Sequence, residues 1–218
     1  MGGIVLVHGA WHGAWCWDGV VAELRQRGVA ATAVELPLAG LAADVAAARA
    51  AIQAAGPASV VVAHSYGGLV VSYAAAGLST VSRLVYLAAY LTEPDEDVSA
   101  LMSGKLTESL VFRDGEVSVD PAAAAGLFYG DAAPGTAAEL AGRLRPMTIG
   151  VAVPPVVTPA WRSIPTTYVV CTNDQAIPAG SQRRMAARAE TVVEWPTDHS
   201  PFVTRPRVVA DLVAGHPT

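Results

Sequence analysis

Charged side chains are scarce in this chain: only 15% of its 218 residues are Asp, Glu, Lys or Arg, against 52% that are hydrophobic. That balance excludes a disordered polymer and requires a well-filled core. The net charge of −5 excludes the basic footprint that nucleic acid demands, and Lys and Arg nowhere cluster as an anionic membrane would require. Cysteine is nearly missing. Cys16 and Cys171 stand far apart with no C-x-x-C or zinc spacing, each in an apolar setting. They are expected to be buried free thiols of a reducing, cytoplasmic compartment, although spacing alone leaves a disulfide open. No targeting segment is expected, because "MGGIVLVHGA" is short and lacks a basic flank. Residues 50 to 82 contain no charged side chain, yet Gly56-Pro57, His64-Ser65 and Gly67-Gly68 interrupt them. A membrane span needs roughly 20 continuous apolar residues, so a buried strand, a sharp turn and a buried helix are expected there instead.

What the chain does have is alternation. "GIVLVHG" is a β-branched apolar run ended by glycine, which reads as a strand buried on both faces. Residues 17 to 27 show helical spacing before the stop at Gly28, and "VAATAVEL" reads as a second strand. The alanine-rich helix over 42 to 55 leads to the strand "SVVVAH", a helix over 67 to 76 and the strand "RLVYLAAYL". The beat stops between about 92 and 163, where short helical pieces, a turn in "FRDGEV" and a proline-rich exit, "VAVPPVVTPAW", are expected. It resumes with the strand "TTYVVCTND", a helix over 179 to 189, the strand "ETVVEW" and a last helix over 205 to 214. The pattern predicts one α/β domain over 1–218, a mostly parallel sheet of about six strands flanked by helices, with a small helical cap inserted at 92–163.

The chemistry concentrates around "AHSYGG". A nucleophile elbow needs a strand that turns sharply into a helix, with small residues two before and two after the nucleophile. Ser65 has Ala63 and Gly67 there, one methyl group more than the G-x-S-x-G pattern, and Gly68 adds room. The competing reading is a serine in an ordinary strand–helix turn. A serine also needs a base, because its hydroxyl is a poor nucleophile at neutral pH. Of His8, His12, His64, His199 and His216, only His199, in "PTDHSPF", follows a late strand and so reaches the sheet edge that holds Ser65. His64 is expected to point to the other side of the turn. The acid that would fix the tautomer of His199 is Asp174, just beyond "TTYVVC". Asp198 is its rival but sits next to His199 in the chain, and Asp95 and Asp97 are weaker candidates.

Two backbone amides should face the developing oxyanion: that of Tyr66 after the nucleophile, and one from the loop "VHGAWHGAW", assigned to Ala10. His8 and His12 are four apart, but Gly9 and Gly13 argue against the helix that would align them on a metal. Neither a metal nor a cofactor is expected.

The blocks "LVHGAWHGAWCW", "AHSYGG", "VVCTNDQAIPAGSQR" and "DHSPF" resemble the α/β-hydrolases that include plant methyl-ester hydrolases and hydroxynitrile lyases. The resemblance runs from residue 4 to about 210 and is vague across the insertion. It implies a Ser65–Asp174–His199 triad, Ala10 and Tyr66 amides at an oxyanion hole, and a helical cap over 92–163. The lyases of that group carry threonine where Gly9 stands and lysine where Ser200 stands, so their absence favours the esterase branch. The chain is also shorter than typical relatives, which implies a trimmed cap and an open pocket. Trp11, Phe128, Tyr129, Met147 and Trp161 are the expected walls. The expected activity is hydrolysis of a small or medium hydrophobic ester or lactone by a monomer or homodimer. Two alternatives stay open: lyase, epimerase or cyclase chemistry on the same scaffold, and a receptor that binds a small ligand.

Overall fold

The computed structural model describes residues 2–148 and 158–215; residues 151–157 of the proline-rich exit and His216 lie outside the described residues. The chain opens with β1 (Ile4–Val7), a 3-10 turn, α1 (Asp18–Gln26), β2 (Ala31–Val34) and α2 (Leu41–Ala54). It continues with β3 (Ser59–His64), α3 (Tyr66–Ala74) and β4 (Val81–Leu87). The insertion holds α4 (Gly104–Glu108), β5 (Leu110–Arg113), β6 (Glu116–Val119), α5 (Pro121–Phe128), α6 (Pro134–Ala141) and β7 (Met147–Thr148). The last third carries β8 (Thr166–Cys171), α7 (Ala179–Ala186), β9 (Thr191–Trp195), α8 (Pro201–Thr204) and α9 (Pro206–Val213).

The main sheet has six strands in the order β2-β1-β3-β4-β8-β9, every pairing parallel. Its strands alternate between two hydrophobic layers, as a pleat with a period of two residues must. Val5, Val7, Val61 and Ala63 face Ala48, Ile52, Val70 and Met185 of α2, α3 and α7. Ile4, Leu6, Val60 and Val62 face Trp17, Leu24, Phe202 and Val209 on the side of α1 and α9. From β1 the chain goes to β2 on one side, whereas β3 lies on the other and leads on to β4. Connections therefore diverge between β1 and β3, and such a divergence opens a crevice at the C-terminal strand ends. Ser65 follows β3 at that crevice.

Two expectations are corrected. The strand expected to run to residue 91 ends at Leu87, because Ala88 adopts φ 43° and turns residues 88–91 out of the sheet. The insertion is not helices alone. The turn expected in "FRDGEV" is the tip of a β5–β6 hairpin, with Asp114 at φ 51° and Gly115 at φ 81°, and β7 adds a third antiparallel strand. Cys16 and Cys171 are both buried and free. Among the described residues, no helix is long and apolar enough to cross a membrane.

Backbones approach closely around α3. A Cβ on Gly67 would lie 2.7 Å from the His8 carbonyl oxygen and 2.8 Å from that of Val7, whereas one on Gly126, on the exposed side of α5, would meet nothing within 4 Å. Gly67→Ala should cost about 1–3 kcal/mol in a denaturant titration, because rigid backbone has to yield. Gly126→Ala should be neutral or stabilising by up to about 1 kcal/mol in the same experiment.

Candidate active site

Ser65 is a one-residue turn between β3 and α3, held at φ 51° and ψ −122°. A non-glycine residue in such a region costs about 1–3 kcal/mol and persists only where its surroundings over-determine it. They do so here. The Ser65 carbonyl accepts from the Gly68 and Tyr90 amides, each at 3.0 Å, and its own N–H donates to the Leu87 carbonyl at 3.4 Å. Tyr90 belongs to the segment that leaves the sheet after β4, so the early end of that strand holds the turn. Ala63 is fully buried without a break in its strand pairing, and the extra methyl group is accommodated.

His199 lies in the loop between β9 and α8, and Asp174 in the loop after β8. The His199 Nδ1–H donates to Asp174 Oδ2 at 2.6 Å, which leaves Nε2 as the basic nitrogen. Asp174 Oδ1 accepts from the amides of Ala176 and Ile177 at 2.7 and 2.9 Å, and its Oδ2 accepts also from Gln182 Nε2 at 2.8 Å. Sequence reasoning missed Gln182. It is fully buried on α7, and its Oε1 accepts from the Cys171 amide at 2.9 Å while Nε2 also donates to the Ile177 carbonyl at 2.7 Å. A glutamine in "AGSQRRMA" carries no local signal of this role; only the tertiary approach of α7 to the end of β8 creates it. Asp198, the rival acid, is engaged elsewhere. Its Oδ2 accepts from the Asp131 amide at 2.9 Å, Asp131 Oδ2 accepts from the Asp198 amide at 3.1 Å, and this reciprocal pair ties the insertion to the histidine loop.

In the loop after β1, two carbonyls are satisfied by histidine rings of the same loop. His8 Nδ1 donates to the Gly9 carbonyl at 2.8 Å, and His12 Nδ1 donates to that of Ala10 at 2.7 Å. The remaining ring nitrogens also have partners: His8 Nε2 accepts from the Leu36 amide at 3.0 Å, and His12 Nε2 from the Tyr129 hydroxyl at 2.9 Å. Neither imidazole therefore offers a lone pair to a metal. Among the described residues, the amides of Ala10 and Tyr66 donate to no protein acceptor. The Tyr66 ring is itself anchored, its hydroxyl donating to Asp44 Oδ2 at 2.8 Å, while Asp44 Oδ1 accepts from the Leu38 amide at 2.7 Å. His64 turns away from the cavity and packs against His199, with ring centroids 4.5 Å apart and Nε2 donating to the His199 carbonyl at 3.0 Å.

Ser65, His199, Ala10 and Tyr66 line one cavity of about 380 Å³ between the sheet edge and the insertion. Trp11, Phe128 and Met147 contribute walls, as do Leu41, Leu69, Val98, Met102, Leu106 and the exposed hairpin residue Phe112. Among the described residues, no Asp, Glu, Lys or Arg side chain lines it. Two expected wall residues are elsewhere. Tyr129 is buried behind His12, where its hydroxyl sets the tautomer of that ring. Trp161 lies in a 3-10 turn just before β8 and borders a separate surface hollow with Ile164, Arg188 and Glu190. A parallel strand must be re-entered at its N-terminal end, so Trp161 is at the sheet edge opposite Ser65.

Burial lowers the pKa of His8 to about 4 and of His12 to about 3, and holds that of His64 well below the usual 6.5. These rings stay neutral in the fold at pH values where the unfolded chain already takes up their protons. The stability they allow is complete above pH ~6.5 and is lost as the pH falls toward their folded-state values, at about 1.4 kcal/mol per pH unit for each ring. Denaturant titrations at pH 7.5 and pH 5.5 should therefore differ by about 3–4 kcal/mol, with the acid sample less stable.

Comparison with known proteins identifies the family. The chain is 28% identical over 235 residues to the alpha/beta hydrolase nvfD of Aspergillus novofumigatus, covering 96% of this chain and 94% of that protein. It is 26% identical over 245 residues to methylesterase 7 of Arabidopsis thaliana, with 96% and 94% covered. The crystal structure of a pyrethroid hydrolase from Sphingobium faniae superposes with a TM-score of 0.81 at 22% identity, covering 98% of this chain and 96% of that one, which shows a shared fold. The model of the alpha/beta hydrolase family matches residues 4–212, and the chain belongs to that family.

Proposed function

We propose that the protein hydrolyses small or medium hydrophobic carboxylic esters or lactones, with Ser65 as nucleophile, His199 as general base and Asp174 as its orienting acid. The observation that carries this reading is the convergence on one apolar cavity of Ser65, an Asp174-held His199 and the unpartnered amides of Ala10 and Tyr66. A carboxylic ester hydrolase is also the class of its relatives, among them the plant methylesterase.

In the proposed reaction, His199 Nε2 takes the Ser65 proton as Oγ attacks the ester carbonyl, and the two amides hold the oxyanion. The imidazolium is stabilised by Asp174, whose four donors are all neutral apart from His199 itself. His199 then returns the proton to the leaving alcohol oxygen as the C–O bond breaks. Water, deprotonated by His199, attacks the acyl-enzyme; the Ser65 oxygen leaves and recovers the proton, and the acid is released. A cavity without charged walls among the described residues suits a neutral substrate and offers the carboxylate product no cation there. Gly9 and Ser200 supply neither of the polar side chains that the lyases of the resembling group carry, so hydrolysis is preferred to cyanide chemistry.

A fluorophosphonate probe followed by peptide mass spectrometry tests this directly. Rapid labelling at Ser65 that is lost in His199→Ala is the expected result, and Ser65→Ala should lower ester turnover by about 10⁴-fold or more. A folded protein that takes no probe at Ser65 and turns over no ester would sink the proposal in favour of non-hydrolytic base chemistry or ligand binding.

A further inference from the structure

The loop that presents Ala10 is gripped from outside by two residues that face solvent. The Arg145 amide donates to the Trp11 carbonyl at 2.9 Å, and its Nε donates to the His12 carbonyl at 3.2 Å. One terminal nitrogen of Arg145 donates to the Leu36 carbonyl at 2.6 Å and pairs with Glu35. The other oxygen of Glu35 accepts from the Ala14 amide at 2.7 Å. Arg145 and Glu35 therefore engage three backbone groups of the loop between residues 11 and 14. With His8 and His12 on the Gly9 and Ala10 carbonyls, each carbonyl from Gly9 to His12 accepts a hydrogen bond. Trp11 is moreover at φ 63°, so the residue after Ala10 is strained and needs this support.

We propose that Arg145 and Glu35 are positioning residues that hold the Ala10 amide in the oxyanion hole, an inference that rests on the triad reading above. Their side chains are 37% and 57% exposed, and an ion pair so wet adds little to folding stability. Its geometry is more informative than its strength. Arg145 stands between α6 and β7, so the insertion that walls the cavity also sets one amide of the catalytic edge. A donor misplaced by a fraction of an ångström is weakened most where charge develops, that is in the transition state.

The test uses steady-state hydrolysis of p-nitrophenyl butyrate by the wild type, Arg145→Met, Arg145→Lys and Glu35→Gln, with melting temperatures and the affinity of butylboronic acid. The boronate adduct on Ser65 places an oxygen in the same hole. Arg145→Met should lose about tenfold to hundredfold in kcat, less than deletion of a donor outright, with KM within about twofold. Boronate affinity should fall in parallel and the melting temperature should hardly move. Arg145→Lys, which keeps the charge but loses the fork, should recover part of kcat, and Glu35→Gln should lose severalfold. If Arg145→Met does not fold, the lysine and glutamine variants decide by the same criteria. Wild-type kcat and boronate affinity in the folded variants, or losses that track melting temperature alone, would overturn the brace while leaving the triad intact. No turnover and no fluorophosphonate labelling by the wild type would overturn the triad reading and the brace with it.

Discussion

Three backbone segments share one small volume at the C-terminal edge of the sheet, and this crowding is the constraint on which the rest of the site depends. Gly67 faces the carbonyls of Val7 and His8, and a Cβ on Gly68 would fall 2.6 Å from the carbonyl of Tyr90. The turn at Ser65 can therefore be tight only if β4 ends early and if two successive residues of α3 lack side chains. Tyr168 supports the same place from the neighbouring strand, its hydroxyl donating to the Ala89 carbonyl at 2.7 Å. The strain at Ser65 is borne by hydrogen bonds with α3, β4 and the segment after β4, so the position of Ser65 reports on the packing of this edge.

The electrostatics of the site follow from burial. Asp174 and His199 sit in a nearly dry environment where an unpaired carboxylate would be costly, and four hydrogen bonds to Asp174 answer that cost. Three of the four come from neutral donors. Among the described residues, no Lys or Arg pairs with that carboxylate. The other three buried histidines, held neutral by burial, place no competing positive charge beside it. His64 even contributes a neutral N–H to the His199 carbonyl, and the two rings pack 4.5 Å apart.

The insertion joins this edge at several points: Asp131 to Asp198, Trp11 Nε1 to the Val117 carbonyl at 3.0 Å, and Arg145 to the loop after β1. Its hydrophobic cluster around Phe128 and Leu127 packs on Trp11 and Ala10. Attached in this way, the insertion walls the apolar cavity that Ser65 and His199 also line. Among the described residues its walls are apolar, with no Asp, Glu, Lys or Arg side chain.

Strand alternation, the elbow motif and the order Ser65, Asp174, His199 were legible in the primary structure because each is a local pattern. β-branched runs must pair, glycine must stand where backbones touch, and polar residues that end parallel strands share one edge. The sheet of six strands, the meeting of Ser65 and His199 at one cavity and the bond from His199 to Asp174 follow from such rules. Gln182, the hairpin within the insertion, the exclusion of Tyr129 and Trp161 from the cavity and the grip of Arg145 were not legible. Each depends on a contact between segments far apart in the chain, and no short-range pattern encodes which distant carbonyl or carboxylate a side chain will meet. The sequence by itself determined the fold class and the chemistry on offer; only the tertiary structure decided which side chains orient that chemistry, because orientation is a property of packed neighbours and not of spacing.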